Sequence, residues 1–228
     1  MRMRRKPYAR PELAAWEHHI DKPTEHRGHW AELFEKQQPM WLELGCGKGG
    51  FSAELAAAHP EINLVAVDIK SEVLVVAKRN IERVYAALDR PITNVKILPQ
   101  QIEILETAFA PPDQFERIYI NFCNPWNKAP QKKKRLTHSK LLVKYRELLV
   151  PGGEIRFKTD NDELFEDTLG YFAECGFEVI DLTRDLHADN SRENYETEHE
   201  KMFSEQGIPI KYAAARMVEL KKEEKTDE

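Results

Sequence analysis

The chain of 228 residues is poor in cysteine, with Cys46, Cys123 and Cys175 its only three. An odd number at wide spacing gives neither a disulfide framework nor a zinc pattern, so reduced thiols and no metal site are expected. Long apolar runs are missing as well; none approaches the ~18 residues that cross a bilayer. The basic residues Arg2, Arg4, Arg5 and Lys6, followed by Pro7, have no apolar segment behind them, which argues against a secretory signal and for a cytoplasmic protein. No internal repeat is present. What remains, 41% hydrophobic and 32% charged residues, suits one globular domain with decorations.

Acid is absent where base is concentrated. The net charge is −5, yet residues 1–10 carry five positive charges and residues 128–146 carry eight (Lys128, Lys132, Lys133, Lys134, Arg135, Lys140, Lys144, Arg146), with no acid in either block. Two basic blocks on an otherwise acidic body point to a polyanion footprint, because a merely solvated surface intersperses its signs. An unliganded lysine-rich loop is the plainer alternative. Neither block forms a clear amphipathic helix with aromatic anchors, which disfavours a membrane surface.

After a polar opening, apolar and amphipathic segments alternate. Strands are expected at 40–44, 62–67, 95–98, 117–122, 154–158, 177–182 and 212–218. Helices are expected at 49–59, from a Ser71 cap to about 88, at 102–109, 137–149, 162–175 and near 192–205, with a turn at Pro151-Gly152-Gly153 and a helix stop at Gly176. This alternation predicts an α/β fold, a doubly wound and mostly parallel sheet of about seven strands with helices on both faces. The expected organisation is a basic N-terminal extension over 1–38, a single domain over 39–220 and a charged, frayed tail over 221–228.

Glu43-Leu44-Gly45-Cys46-Gly47-Lys48-Gly49-Gly50 joins the first strand to the first helix, where such sheets bind nucleotide-like ligands. The spacing fits a dinucleotide loop through Gly45, Gly47 and Gly50, and equally a G-x-G-x-G loop through Gly45, Gly47 and Gly49. It is not a phosphate-binding lysine loop, because Lys48 is followed by Gly49 rather than Ser or Thr. Glu43 would be a poor neighbour for a pyrophosphate but suits the positive end of S-adenosylmethionine. Asp68, ending the second strand, has acceptors for both ribose hydroxyls of either cofactor. The acids therefore favour S-adenosylmethionine.

The fourth strand runs into Asn121-Phe122-Cys123-Asn124-Pro125-Trp126-Asn127-Lys128, and the second basic block follows. With the glycine loop, this segment, Lys134-Arg135-Leu136-Thr137, Phe157-Lys158-Thr159-Asp160 and Thr197-Glu198-His199-Glu200, the chain resembles the bacterial tRNA (guanine-N7)-methyltransferase family from Arg2 to about Arg216. The glycine loop is common to many methyltransferases; the other four segments in this order are far more specific. The resemblance implies a Rossmann-like class I methyltransferase that acts on a guanine in the tRNA variable loop, as a monomer or homodimer. It implies cofactor binding by Glu43, Asp68, Gln101 and Asn124, catalysis at Asn124, and substrate binding by Lys128, Asp160, Thr197 and Glu200. Asn124 and Gln101 stand where the family has aspartates, and Asn127, Ala129, Pro130 and Gln131 replace its usual loop residues.

Guanine N7 already carries a lone pair, so its methylation releases no proton and alignment does most of the work. A carboxylate at position 124 would accept from guanine N1 and N2 and offset the charge that grows on the purine; Asn124 offers a carbonyl without charge. Slowed methylation is the expectation. Two competing readings are a tRNA-binding descendant with weak or lost catalysis, and an RNA amino-group methyltransferase in which Asn124-Pro125-Trp126 stands in for an Asn-Pro-Pro-aromatic motif. Trp126 is read equally as a base platform or as packing, and Tyr119 and Phe122 as core residues ahead of the alternative of base platforms. Asp160 is a candidate helix cap, and Thr197 with Glu200 a candidate capping box.

Overall fold

A computed structural model describes residues 6–188 and 191–220. Arg2, Arg4 and Arg5 of the first basic block and the charged tail at 221–228 lie outside the described residues. Seven strands, β1 (Met40–Leu44), β2 (Asn63–Asp68), β3 (Val95–Pro99), β4 (Phe115–Asn121), β5 (Leu149–Thr159), β6 (Phe177–Thr183) and β7 (Lys211–Met217), form one sheet in the order β3-β2-β1-β4-β5-β7-β6. All run parallel except β7, which is antiparallel to both β5 and β6. The helices are α1 (Ala9–Ala14), α2 (Gly50–Ala58), α3 (Ser71–Ala87), α4 (Ser139–Leu148), α5 (Asp162–Glu174) and α6 (Glu198–Ser204).

β1 and β2 are buried along nearly their whole length, as strands covered on both faces must be. One core gathers Leu42, Leu44, Val65, Phe157 and Phe165; the other joins α2, α3, Trp41 and Tyr119. The polar opening contributes more than its composition suggests. Ala9 and Leu13 of α1 are buried against α3, Trp30 is fully buried, and His19 makes a parallel bridge to Ile97 beyond β3. Short segments of tight helix at 102–107 and 129–134 replace the expected helix and loop there.

Three local expectations are corrected. Ser71 is the first residue of α3 and caps nothing; Lys70 precedes it without a side-chain cap. Asn161, not Asp160, caps α5, its Oδ1 accepting from Leu164 N at 2.8 Å. Pro151-Gly152-Gly153 lies within β5 and spans an irregularity in its pairing with β4 between Phe115 and Arg117. A Cβ at Gly153 would meet the Val150 carbonyl at 2.9 Å, so only glycine fits this tight passage.

Candidate functional site

The strand order reverses between β1 and β4, and a cavity of about 500 Å³ opens there at the carboxyl ends of the strands. This is the crevice in which open α/β sheets bind ligands. Its walls come from Glu43 to Lys48, Asp68 to Lys70, Asn121 with Phe122, and Thr197 to His199, with Phe51 of α2 and Val73 of α3.

Glu43 ends up deep because β1 is central in the sheet. Its side chain accepts from Ser52 Oγ on α2 and from Asn121 Nδ2 at 3.2 Å. Burial pushes its carboxyl up to about 7, against the lowering effect of those two donors. A cationic group in the cavity would relieve that cost, which is the fit expected for the amino end of S-adenosylmethionine. Asp68 is oriented by backbone donors, Gly47 N to Oδ2 at 3.2 Å and Lys70 N to Oδ1 at 3.0 Å. Each oxygen keeps a second lone pair for a ribose hydroxyl. Burial raises Asp68, and the N–H groups oppose the shift.

Gly45 and Gly47 line the cavity, and a Cβ on either would meet nothing. Gly49 has a different part. It sits before α2 at φ +70°, and a Cβ would lie 2.6 Å from the Ala77 Cβ, so it lets α2 close on α3. Gln101 borders an adjoining recess that shares Gly45 and Asp68 with the main cavity, and it is exposed.

Asn124 stands on the exposed loop after β4, outside the cavity walls. Its Oδ1 accepts from Trp126 N at 3.1 Å, closing a turn in which Trp126 adopts φ +44°. Lys134 Nζ lies 5.0 Å over the Trp126 ring. Lys128 is exposed just before the 129–134 segment, and Asp160 directly follows β5 with its carbonyl accepting from Lys211 Nζ at 3.0 Å. Neither lines the cavity.

Thr197 and Glu200 form the expected capping box at the start of α6. Thr197 faces the cavity, whereas Glu200 is fully buried beneath it. Glu200 Oε2 meets Lys158 Nζ at 2.7 Å, and its Oε1 accepts from Asn194 Nδ2 at 2.6 Å. Burial lowers the Lys158 ammonium, while Glu200 supports it. His187, Glu196 and Glu200 also place ligand atoms close together, but this Lys158 contact already supplies a cation to Glu200. Sequence reasoning missed Ser52, and it took in Asn121, Lys158, Glu198 and His199 only as members of the segments that carry the family resemblance, without separate roles for them.

The second basic block divides. Lys132 and Arg135 pair with Glu163 and Asp167, Lys144 with Glu106, and Arg146 holds the Cys175, Gly176 and Val218 carbonyls. Lys128, Lys133, Lys134 and Lys140 are exposed and make no ion pair among the described residues. Among those residues no helix is long and apolar enough to cross a membrane.

The sheet, the glycine loop and the two acids define a class I methyltransferase that uses S-adenosylmethionine. The fold matches that of a 16S rRNA methyltransferase, KamB, with a TM-score of 0.57 at 12% identity, covering 80% of this chain and 89% of the other. A family model described as "Putative methyltransferase" matches residues 37–213. The tRNA (guanine-N(7)-)-methyltransferase of Clostridium perfringens strain SM101 is 55% identical over 95% of this chain and 99% of its own length. The enzyme of that name from Ruminiclostridium cellulolyticum is 54% identical over 94% and 92%. The chain belongs to the tRNA (guanine-N(7)-)-methyltransferase family.

Proposed function

We propose that this protein transfers a methyl group from S-adenosylmethionine to N7 of a guanine in the variable loop of tRNA. The observation that carries the reading is the cavity at the β1/β4 switch, lined by Glu43 and Asp68, with exposed lysines in the segment that follows β4 that make no ion pair among the described residues. Glu43 would hold the amino end of the cofactor and Asp68 its ribose, with Gly45 and Gly47 allowing close backbone approach. The cofactor supplies a methyl group on a sulfonium, an electrophile that guanine N7 attacks directly. The chain therefore has to align, exclude water and balance charge rather than move a proton.

Alignment falls to the elements at the cavity mouth. The end of β4 and the residue after it bring Asn121 and Phe122 to the cavity, the start of α6 brings Thr197, Glu198 and His199, and Asn124 follows on the exposed loop. Lys128, Lys133, Lys134 and Lys140 would take tRNA phosphates, with Asp160 and Thr197 further candidates for substrate contact. Glu200 serves the site through Lys158 and Asn194, holding the segment that precedes α6. Asn124-Pro125-Trp126 lacks the second proline of the amino-group motif, which weighs against that reading. A tRNA substrate also fits a cytoplasmic protein.

The test is incubation of purified protein with labelled S-adenosylmethionine and unmodified tRNA, followed by digestion to nucleosides. The expected product is 7-methylguanosine. A methylated adenine would support the amino-group reading, and tRNA binding with no methylated nucleoside would mark a binding-only descendant.

A further inference from the structure

Phe122, His199 and Phe203 form an aromatic array at the cavity wall. Their ring centroids lie 6.1 Å (Phe122–His199), 6.0 Å (Phe122–Phe203) and 6.4 Å (His199–Phe203) apart, with planes within 28° of one another. Neither phenylalanine belongs to a hydrophobic core cluster. Phe122 and His199 both line the cavity that holds Glu43 and Asp68, and His199 is exposed.

Phe122 reaches this place by an unusual route. As the first residue after β4, it adopts φ +50°, a left-handed conformation that a bulky side chain rarely takes. The Phe122 N–H donates to the Lys158 carbonyl at 2.9 Å, so β5 holds the turn. A chain seeking only to bury a phenylalanine has no need of this conformation. Its result is an aromatic group at the site rather than in the core, and backbone strain of this kind commonly accompanies function.

We propose that Phe122 and His199, backed by Phe203, are the stacking platform for the target guanine. This rests on the methyltransferase reading above and names the residues that hold its base. Single-stranded bases turned out of an RNA loop are recognised by stacking on aromatic faces. A purine has a π-face that an aromatic array engages without hydrogen bonds, leaving its N7 edge free to meet the methyl donor. Methylation at N7 makes the purine cationic, and an aromatic face attracts a cation more strongly than the neutral base. The platform therefore holds product more tightly than substrate.

The experiment compares His199→Leu, His199→Phe and Phe203→Leu with the parent by kcat and KM for tRNA, by filter binding of unmodified and 7-methylguanosine-bearing tRNA, and by calorimetric Kd for S-adenosylmethionine. The leucine variant at 199 keeps bulk but loses the ring, and its KM for tRNA is expected to rise on the order of ten-fold with the cofactor Kd unchanged. His199→Phe should restore KM to within about three-fold of the parent, and the preference for methylated tRNA should shrink in His199→Leu. If the parent makes 7-methylguanosine but His199→Leu keeps its KM and that preference, the platform is wrong. Equal losses in the leucine and phenylalanine variants, or a matching loss of cofactor binding, would show a structural role instead. A parent that makes no 7-methylguanosine defeats the functional reading itself.

Discussion

Removing the buried ammonium at position 158 probes how the start of α6 is held over the cavity. Lys158 is 4% exposed, and its Nζ lies 2.7 Å from Glu200 Oε2, 2.9 Å from Asn194 Oδ1 and 2.8 Å from the Tyr195 carbonyl. It also sits 5.1 Å over the Phe51 ring. Lys158→Met keeps much of the volume but strands the carboxylate of Glu200, itself 0% exposed. Taking one partner from a buried ion pair costs about 3–5 kcal/mol. Glu200 keeps Asn194 Nδ2 at 2.6 Å and His187 Nε2 at 3.1 Å, so the lower end, about 3 kcal/mol, is expected. At this chain length that corresponds to a fall in Tm of roughly 6–12 °C.

Urea unfolding followed by tryptophan fluorescence gives the stability change, and steady-state kinetics gives the functional one. KM for tRNA should rise more than the cofactor Kd, because Lys158 makes its hydrogen bonds to Asn194, Tyr195 and Glu200 and reaches Glu43 only through a weaker charge interaction. A double variant, Lys158→Met with Glu200→Leu, should lose less than the sum of the single changes, since it leaves no unpaired buried charge. The reasoning fails if Lys158→Met unfolds within about 0.5 kcal/mol of the parent, the range of a neutral surface change, or if the two losses simply add.

Further expectations concern charge at the site. With its carboxyl raised to about 7, Glu43 keeps a proton below neutrality in the free protein, so affinity for S-adenosylmethionine should fall about ten-fold from pH 8 to pH 6. Calorimetry checks this, and Glu43→Gln should bind weakly with a flat pH profile. The same raised value means that Glu43 favours the folded state most below its unfolded value, and this contribution fades as pH climbs through about 7. Asn124→Asp retains an acceptor for Trp126 N and adds a charge near the growing cation; kcat should rise, by an upper limit of about 4 kcal/mol at 4 Å and an effective dielectric near 20. Unchanged turnover in the nucleoside assay would remove the electrostatic role given to that position. Lys133→Ala and Lys134→Ala should each lower the salt slope of tRNA binding by about one, whereas Lys132→Ala, already paired with Asp167 at 2.7 Å, should destabilise more than it changes that slope.

Much of the fold was legible because strand and helix leave periodic marks. Buried runs at β1, β2 and β3 and the amphipathic stretch of α3 carried their own signal, and the acid-glycine-acid spacing picked out residues that line the cavity. Of the substrate candidates that the resemblance added, Thr197 lines that cavity, whereas Lys128, Asp160 and Glu200 do not. The direction of β7 was not legible, since an alternation of elements does not say which neighbour a last strand joins; it inserts between β5 and β6 and runs against both. The polar opening concealed Trp30, whose burial depends on Phe109 and on the Ala108 carbonyl that accepts its indole N–H at 2.8 Å.

The sequence by itself determined the layered α/β architecture, the glycine loop between Glu43 and Asp68, and the presence of two basic blocks, because each is a pattern within a short window of chain. Only the tertiary structure decided which of those charges are available. Lys132 and Arg135 are committed to α5, while Lys133 and Lys134 are exposed and make no ion pair among the described residues. The tertiary fold also made Glu200, a substrate-binding candidate in the sequence, a buried partner of Lys158 and brought Phe122 beside His199. Those meetings join residues about forty or more positions apart, and their energies come from burial and distance, which no local spacing encodes.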